Sequence, residues 1–449
     1  MPLDLDLGHT ADVVGGVDQF ARAIPWAWIE EAVSAHGVAS IRRRRLPAEQ
    51  VVWLVIGLGL MRNRPITEVC ADWNLALPPG RQGGPRASSS ALVQARARLG
   101  DAPLRYLFLR TAEAWGSEPP ATSAAPRPPG LGLRRFAVDG TVFALPDSPE
   151  NRRHFGSIEA DGSPAAFPSV RLVALMAVDD RRLWDAACGP CTQGEVPYAR
   201  ELVASAPAHS LTLFDRAYFA AELLLSWQQA QPESHWLTPA KQGLRHRVLK
   251  TYGPYDELIE MPVSPQALST YPHLPSTWIA RRISIPQPKG AIKAFLTSCT
   301  DPARYPATEL LHVYWQRWGI EQGFGEIKTR QLHQAARLRS AHPTTVSQEL
   351  WGILLAYNLV RTEMVRAAKE ARVEPIRMSF LFALRAFQAQ IGSGLHTAPG
   401  ALPKRLRDLR NDLKAAVLPT PKQKRPSLPR AVKQSKNRYP IKPRQQANT

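Results

Sequence analysis

The sequence predicts an α/β protein in which one mixed sheet, with helices on its faces, lies between two all-helical regions. Three observations carry that prediction. Residues 133–300 are crowded with short alternating or continuously apolar segments, beginning in the order strand, strand, strand, helix, strand, helix, strand. Before them, residues 20–116 read as helices opened by Pro and Ser. After them, Tyr314 to Lys328 and Glu349 to about Ile391 carry the helical period.

In chain order, residues 1–19 begin with Asp4 and Asp6, lack the basic start and apolar core of a signal peptide, and are expected to be flexible. The longest apolar run, Val51 to Met61, is too short to span a bilayer, so no membrane partner is expected. Across residues 20–116, Pro25-Trp26 opens a helix, Arg42 to Arg45 forms a basic run, and Leu46-Pro47-Ala48-Glu49 starts another helix with Pro in its first turn. Pro65-Ile66-Thr67-Glu68 and Ser88-Ser89-Ser90 open further helices, the last leading to Pro103 through Trp115. The formal charge of +19 points to polyanionic partners, nucleic acid before membrane surface. Arg42 to Arg45, Arg96 and Arg98 make this helical region the candidate DNA-binding domain; a plain helical support for the next domain is the equal alternative.

Residues 117–132, rich in Pro, Ser, Ala and Gly, read as a linker. The sheet follows in residues 133–240. Phe136 to Phe143 alternates, Val170 to Val178 is an apolar run of strand length, and Arg182 to Ala187 pairs with it across a tight Asp179-Asp180 turn. Val196 to Ala206 is helical, Leu211 to Asp215 is a strand ending in an acid, Ala217 to Gln229 is helical, and His235 to Thr238 is a strand. That order is the order of a ribonuclease-H-like sheet, in which acids at strand ends gather about divalent cations. Residues 241–300 read as a β-rich insertion with strands at Arg247 to Thr251, Asp256 to Pro262, Trp278 to Ile285 and Ala291 to Ser298. Residues 301–342 return to the sheet domain and residues 343–395 form a C-terminal helical region. Residues 396–449 have no acid after Asp412 and many Lys and Arg among Pro, Gln and Ser, so they read as a disordered basic tail with affinity for phosphate.

Four cysteines in so long a chain indicate a reducing compartment. Cys188-Gly-Pro-Cys191 matches the string of a redox site, but Thr192-Gln-Gly-Glu195 continues it as a loop instead of a helix, and no second pair completes a zinc site.

The chemistry is concentrated in Tyr314 to Lys328. At about 100° per residue, Tyr314, Arg317, Glu321 and Lys328 fall within an arc of about 60°, beside an apolar stripe of Val313, Ile320, Phe324 and Ile327. A carboxylate flanked by Arg, Lys and a phenol faces something anionic. Singly, each candidate has an ordinary reading: Asp139 a turn-forming Asp-Gly, Asp215 a helix cap, and Arg317 and Lys328 a solvated face. Trp315 and Trp318 read as core, and His154 as a surface histidine.

Val138-Asp139-Gly140-Thr141, Phe214-Asp215-Arg216-Ala217-Tyr218-Phe219 and Tyr314-x2-Arg317-x3-Glu321-x6-Lys328 together resemble the DDE transposases of the insertion sequence 4 family. Asp215 follows Asp139 by 76 residues and Glu321 follows Asp215 by 106, room for the family's β-rich insertion. The resemblance runs from about residue 20, through Arg42 to Met61 and Asn151-Arg-Arg-His-Phe-Gly156, to about residue 391. Ala217 stands where members often carry Gly, a change that keeps a small residue.

The resemblance implies a transposase that binds terminal inverted repeats, cuts DNA and joins it to a target, as a homodimer on paired ends. The compartment implied is a bacterial cytoplasm, with nucleoid association when DNA is bound. Asp139, Asp215 and Glu321 would hold Mg²⁺ or Mn²⁺, with Asp139 bridging two ions. Arg317, Lys328, Tyr314 and Arg216 would contact DNA phosphates. Cleavage through a DNA hairpin calls for an aromatic from the insertion to stack on a flipped base, and Phe295 and Trp278 are the candidates. The rival readings are a metal-dependent nuclease without joining activity and a non-catalytic DNA-binding relic.

Overall fold

Proline opens the first three helices of the N-terminal region. Pro25, Pro47 and Pro65 occupy the cap positions of α1 (Trp26–Ala35), α2 (Ala48–Leu60) and α3 (Ile66–Asp72), where a missing N–H costs nothing and a fixed φ starts the turn. Ser88 caps α4 (Ser89–Leu99) by accepting the Ala91 N–H at 3.2 Å, and α5 (Ala102–Gly116) follows. These come from a computed structural model that describes residues 23–38, 46–73, 75, 88–117, 131–160, 163–286, 292–333, 337–393 and 402–418. The basic run Arg42 to Arg45, residues 1–19, and nearly all of the linker lie outside the described residues, as does all but 402–418 of the tail.

The sheet takes its strands from the alternating segments. They are β1 (Arg134–Ala144), a two-residue pair β2 (Glu159–Ala160) and β3 (Ser163–Pro164), then β4 (Ser169–Ala177), β5 (Leu183–Pro190), β6 (Ser210–Phe214) and β7 (Ser234–Pro239). Four more follow: β8 (Arg247–Gly253), β9 (Asp256–Pro262), β10 (Thr277–Pro286) and β11 (Ile292–Thr297). Apart from the β2–β3 pair, they form one nine-stranded sheet of order β5-β4-β1-β6-β7-β11-β10-β9-β8. β1 runs antiparallel to β4 and parallel to β6, and β6 runs parallel to β7, which is the ribonuclease-H-like arrangement. The β-rich stretch 241–300 builds no separate sheet: Leu296 of β11 pairs with Thr238 of β7, and the remaining strands extend that edge.

Alternation assigns the two faces. Phe136, Val138, Phe214 and Trp236 pack with α7 (Glu195–Glu201) and α8 (Ala221–Ala230) through Tyr198, Leu223 and Trp227. Ala137, Phe143, Leu211 and Leu213 point the other way, into a larger core shared with the terminal helices. Asp139, one residue past Val138, therefore lies on the second face. Short helices α6 (Pro149–Phe155) and α9 (Pro265–Thr270) lie in connections between strands.

The segment expected to be one α-helix changes its hydrogen-bond register three times. α10 (Ala307–Tyr314) passes into a 3₁₀ turn at Trp315–Arg317, then α11 (Trp318–Gly325), then a π-helical stretch at Glu326–Gln331. Tyr314, Arg317 and Gly325 at the junctions keep right-handed helical dihedrals, so the run continues without reversing. Beyond it come α12 (Pro343–Ala371), α13 (Phe380–Ser393) and α14 (Leu402–Ala415). α2 is buried almost all round because it lies against α12. A Cβ on Gly59 would sit 2.6 Å from the Gly352 carbonyl oxygen, and one on Gly352 would sit 2.6 Å from Val55, so these helices meet backbone to backbone. Among the described residues no helix is long and apolar enough to cross a membrane.

Candidate active site

Strand pairing brings the two aspartates together. The parallel β1–β6 ladder ends at Val138↔Phe214, so the next residue on each strand is Asp139 and Asp215, about 5 Å apart by ordinary strand spacing. Asp139 Oδ1 accepts the Gly140 N–H at 2.9 Å. Asp215 opens a 3₁₀ turn, Arg216–Tyr218, by accepting the Ala217 N–H at 3.0 Å, while its carbonyl accepts the Thr238 hydroxyl at 3.2 Å.

The third acid arrives on α11. Arg317 donates from Nη2 to Glu321 Oε1 at 2.8 Å and from Nη1 to Asp139 Oδ2 at 3.4 Å, so one guanidinium lies between two of the three carboxylates. Lys328 sits 5.3 Å over the Phe143 ring, on the same face of β1 as Asp139 and four residues along the strand. The polar stripe therefore faces the sheet.

Burial sets the electrostatics. It pushes the Asp139 carboxyl up to about 6, helped by Glu195 and Glu321 and opposed by the Gly140 N–H and Arg317. It pushes the Tyr314 phenol up to about 12 against the charge of Arg317. Burial alone holds the Lys328 ammonium below its usual value. For Arg317 burial works downward but is outweighed by Tyr314, Asp139 and Glu321, so the guanidinium is held above its usual value. Among the described residues no three His, Cys, Asp or Glu side chains stand close enough to close on one ion together.

Several expected residues stand elsewhere. Phe295 is fully buried, its ring 4.7 Å from that of Tyr314, and Trp278 is buried against Trp236 at 5.6 Å and Phe219 at 5.9 Å. Both belong to the core, because their positions on β11 and β10 point inward, and neither is placed to stack on a base. Trp315 and Trp318, expected inside, are 58% and 59% exposed. They lie about 140–200° around the helix from Val313, opposite the apolar stripe. Tyr314 is only 7% exposed, behind Arg317, whereas Arg216 is exposed beside Asp215. Cys188 lies within β5 and burial pushes its thiol up to about 12, so the Cys pair has neither the helix start nor the thiolate of a redox site.

Two neighbours of the acids had no signature in the sequence: Glu195, which accepts the Tyr218 hydroxyl at 2.7 Å, and Arg171, which donates to Glu195 at 2.7 Å. The only local cue is the Gly194-Glu195 helix start, common to many surface helices.

Comparison with known proteins places the chain in a family. Residues 15–109 match the family described as insertion element 4 transposase N-terminal, and residues 130–359 match the transposase DDE domain. The chain is 34% identical over 417 residues, covering 93% of itself and 92% of its relative, to the transposase InsG for insertion sequence element IS4 of Escherichia coli strain K12. It is 36% identical over 232 residues, 51% of this chain and 74% of the other, to the putative transposase InsZ of the same organism. Likeness to a cryo-EM structure of a piggyBac transposase synaptic complex with hairpin DNA is remote, with a TM-score of 0.42 at 11% identity over 92% of this chain and 87% of that one. The chain belongs to the insertion sequence 4 family of DDE transposases, enzymes that act on DNA, and its catalytic domain has the ribonuclease-H-like fold.

Proposed function

We propose that this transposase binds the terminal inverted repeats of an insertion sequence, cuts DNA at the element ends, and joins the freed 3′ ends to a target. Asp139, Asp215 and Glu321 hold Mg²⁺ or Mn²⁺. One observation carries the reading: Arg317 lies between the Asp139 and Glu321 carboxylates, beside the strand position that pairs Asp139 with Asp215. The residues fit the ions. All three donors are hard oxygens, and Asp139 is a half-buried carboxylate that burial pushes up to about 6 even with Arg317 at 3.4 Å, so a cation beside it would offset charge that Arg317 leaves uncompensated. Asp139, Asp215 and Glu321 would hold the ions between them, an arrangement that does not require all three acids on a single ion.

When bound, the ions supply Lewis-acid activation of the attacking oxygen and charge stabilisation at the leaving oxygen. The chain's own part is positioning. Arg317, with its planar fork and its charge secured by two carboxylates, grips a phosphate oxygen next to the reacting group. Lys328 provides a point charge further along β1, about 13 Å away by strand rise, and so meets a neighbouring phosphate. Arg216, exposed beside Asp215, contacts another phosphate of the bound DNA. Tyr314 is buried behind Arg317 and orients it. Trp315 and Trp318, the exposed rings of this helical run, offer a stacking surface to a base next to the cleavage point. Acting on chromosomal DNA, the enzyme works in the cytoplasm, associated with the nucleoid, and as a homodimer on paired ends.

The test is a labelled DNA carrying the element's terminal repeat, incubated with Mg²⁺ and either the unaltered protein or Glu321→Ala. Cleaved and joined products are expected from the first and neither from the second. Cleavage without joining would identify a nuclease, and binding without chemistry by both proteins would sink the proposal.

The Asp139 shift also sets a pH dependence. Its carboxyl in the folded chain titrates near 6, against about 3.9 unfolded, so the metal-free folded state holds its proton more tightly. That contribution favours folding below about 4 and is lost as pH rises through about 6. A cation opposes the loss, because it binds only the ionised form. The rise in melting temperature produced by Mn²⁺ is therefore expected to grow between about pH 5 and 7 and then level off. A flat response over that range would separate Asp139 from the metal.

A further inference from the structure

Glu195 is a charged group beside the proposed triad for which the chemistry above has no use. It sits in the first turn of α7, after Gly194, and makes three contacts that belong to three different parts of the site. Oε1 accepts Arg171 Nη1 at 2.7 Å; Arg171 lies on β4, opposite Val142 of β1, and its Nη2 also donates to the Cys191 carbonyl at 3.2 Å. Oε2 accepts the Tyr218 hydroxyl at 2.7 Å, and Tyr218 is the fully buried third residue of the turn that Asp215 opens. The carboxyl group itself lies against Gly140, where a Cβ would come within 2.4 Å of Glu195 Cδ.

We infer that Glu195 is a positioning residue, clamping Gly140, next to Asp139, to Tyr218, three residues after Asp215, so that the two aspartates keep the separation the ions require. The inference rests on the metal-binding reading of Asp139 and Asp215. Each Glu195 oxygen already accepts a hydrogen bond from a fixed donor, which ties the carboxylate to its neighbours and gives it the role of a support. Gly140 is thereby explained as well: the residue after the first aspartate has no Cβ because the clamp occupies that space. Such outer supports typically change metal affinity by about 10- to 100-fold when removed, with the ligands themselves intact.

The experiment measures Mn²⁺ binding by electron paramagnetic resonance, together with the melting temperature in EDTA, for the full chain and four variants. Glu195→Gln keeps the shape and one acceptor; Tyr218→Phe deletes a single hydroxyl and provides for the case in which Glu195→Gln fails to fold. Both are expected to weaken Mn²⁺ binding about tenfold while keeping DNA binding in EDTA unchanged. Gly140→Ala, which drives a methyl into the carboxyl, is expected to do the same. Asp139→Asn is the reference for loss of a ligand. Unchanged Mn²⁺ affinity in Glu195→Gln or Tyr218→Phe would overturn the inference, as would a loss as complete in Glu195→Gln as in Asp139→Asn, which would make Glu195 a ligand. No Mn²⁺ binding by the unaltered protein would instead defeat the metal reading on which the inference rests.

Discussion

Asp139→Asn is expected to lower both strand cleavage and joining at least a thousandfold while leaving affinity for DNA in EDTA unchanged or slightly raised. The substitution keeps the side chain's shape and its oxygen for the Gly140 N–H, and removes one negative charge. Stabilisation of a phosphoryl transition state by paired ions is worth several kcal/mol, and about 4 kcal/mol corresponds to the stated factor. DNA binding without metal runs in the opposite direction, because Arg317 loses one of its two carboxylate partners and its charge becomes more available to phosphate. Stability supplies an independent check: above about pH 6 the unaltered protein carries a half-buried charge that burial disfavours, so the metal-free variant is expected to melt at the same or a higher temperature. Joining within tenfold of the unaltered rate would remove Asp139 from the chemistry, and lost DNA binding would mean that the variant had misfolded.

The layout of the sheet was legible because its signals are local. Phe136 to Phe143, Val170 to Val178 and Leu211 to Asp215 alternate or run apolar between turn residues, and each became a strand within a few residues of its expected bounds. The stripe of Arg317, Glu321 and Lys328 was legible for the same reason, since a helix face is a property of spacing. What spacing cannot carry is which elements meet. Nothing near residue 295 announces that β11 pairs with β7, and that pairing turns Phe295 from an accessible ring into core. Trp315 and Trp318 are hydrophobic enough to read as core, but their angular position puts them opposite the apolar stripe and in solvent. The π-helical stretch was invisible because its setting lies in distant partners. Gln331 donates to the carbonyls of Gly59 at 3.1 Å and Ile353 at 2.9 Å, and Glu326 pairs with Arg181 at 2.8 Å and with the buried Arg361. Glu195 was missed on the same ground, since its partners Arg171 and Tyr218 come from other elements.

The largest effect on stability is expected far from the acids, at Glu349. This residue of α12 is 5% exposed, and its carboxylate accepts Arg62 Nη1 at 2.5 Å, the Arg339 N–H at 2.9 Å, the Ser340 N–H at 2.8 Å and the Ser340 hydroxyl at 2.5 Å. Three parts of the chain converge there: the residue two places after α2, the segment returning from the helical run that carries Arg317 and Glu321, and α12 itself. Burial acts to raise the carboxyl's pKa, but Arg62, Ser340 and the Arg339 N–H outweigh it, so the group stays below its usual value and ionised. Glu349→Ala strands the buried Arg62 charge together with several donors, and losses from breaking a buried pair in this way run to about 3–5 kcal/mol. Urea denaturation is expected to show that loss. Replacing both partners, Arg62→Met with Glu349→Leu, is expected to recover most of it, since neither charge is then left unpaired. The sign with pH follows from the depressed carboxyl: its contribution is present above about pH 4.3 and lost as pH falls through the lower folded value, so the unaltered protein loses more stability on acidification than Glu349→Ala does. The effect reaches the site through backbone, because Arg337, whose carbonyl accepts Arg62 Nη2 at 3.3 Å, bridges to Ala144 at the end of the strand that carries Asp139. A loss below about 1 kcal/mol, or a double variant no more stable than Glu349→Ala, would show that the pair does not hold the N-terminal helices to the catalytic domain.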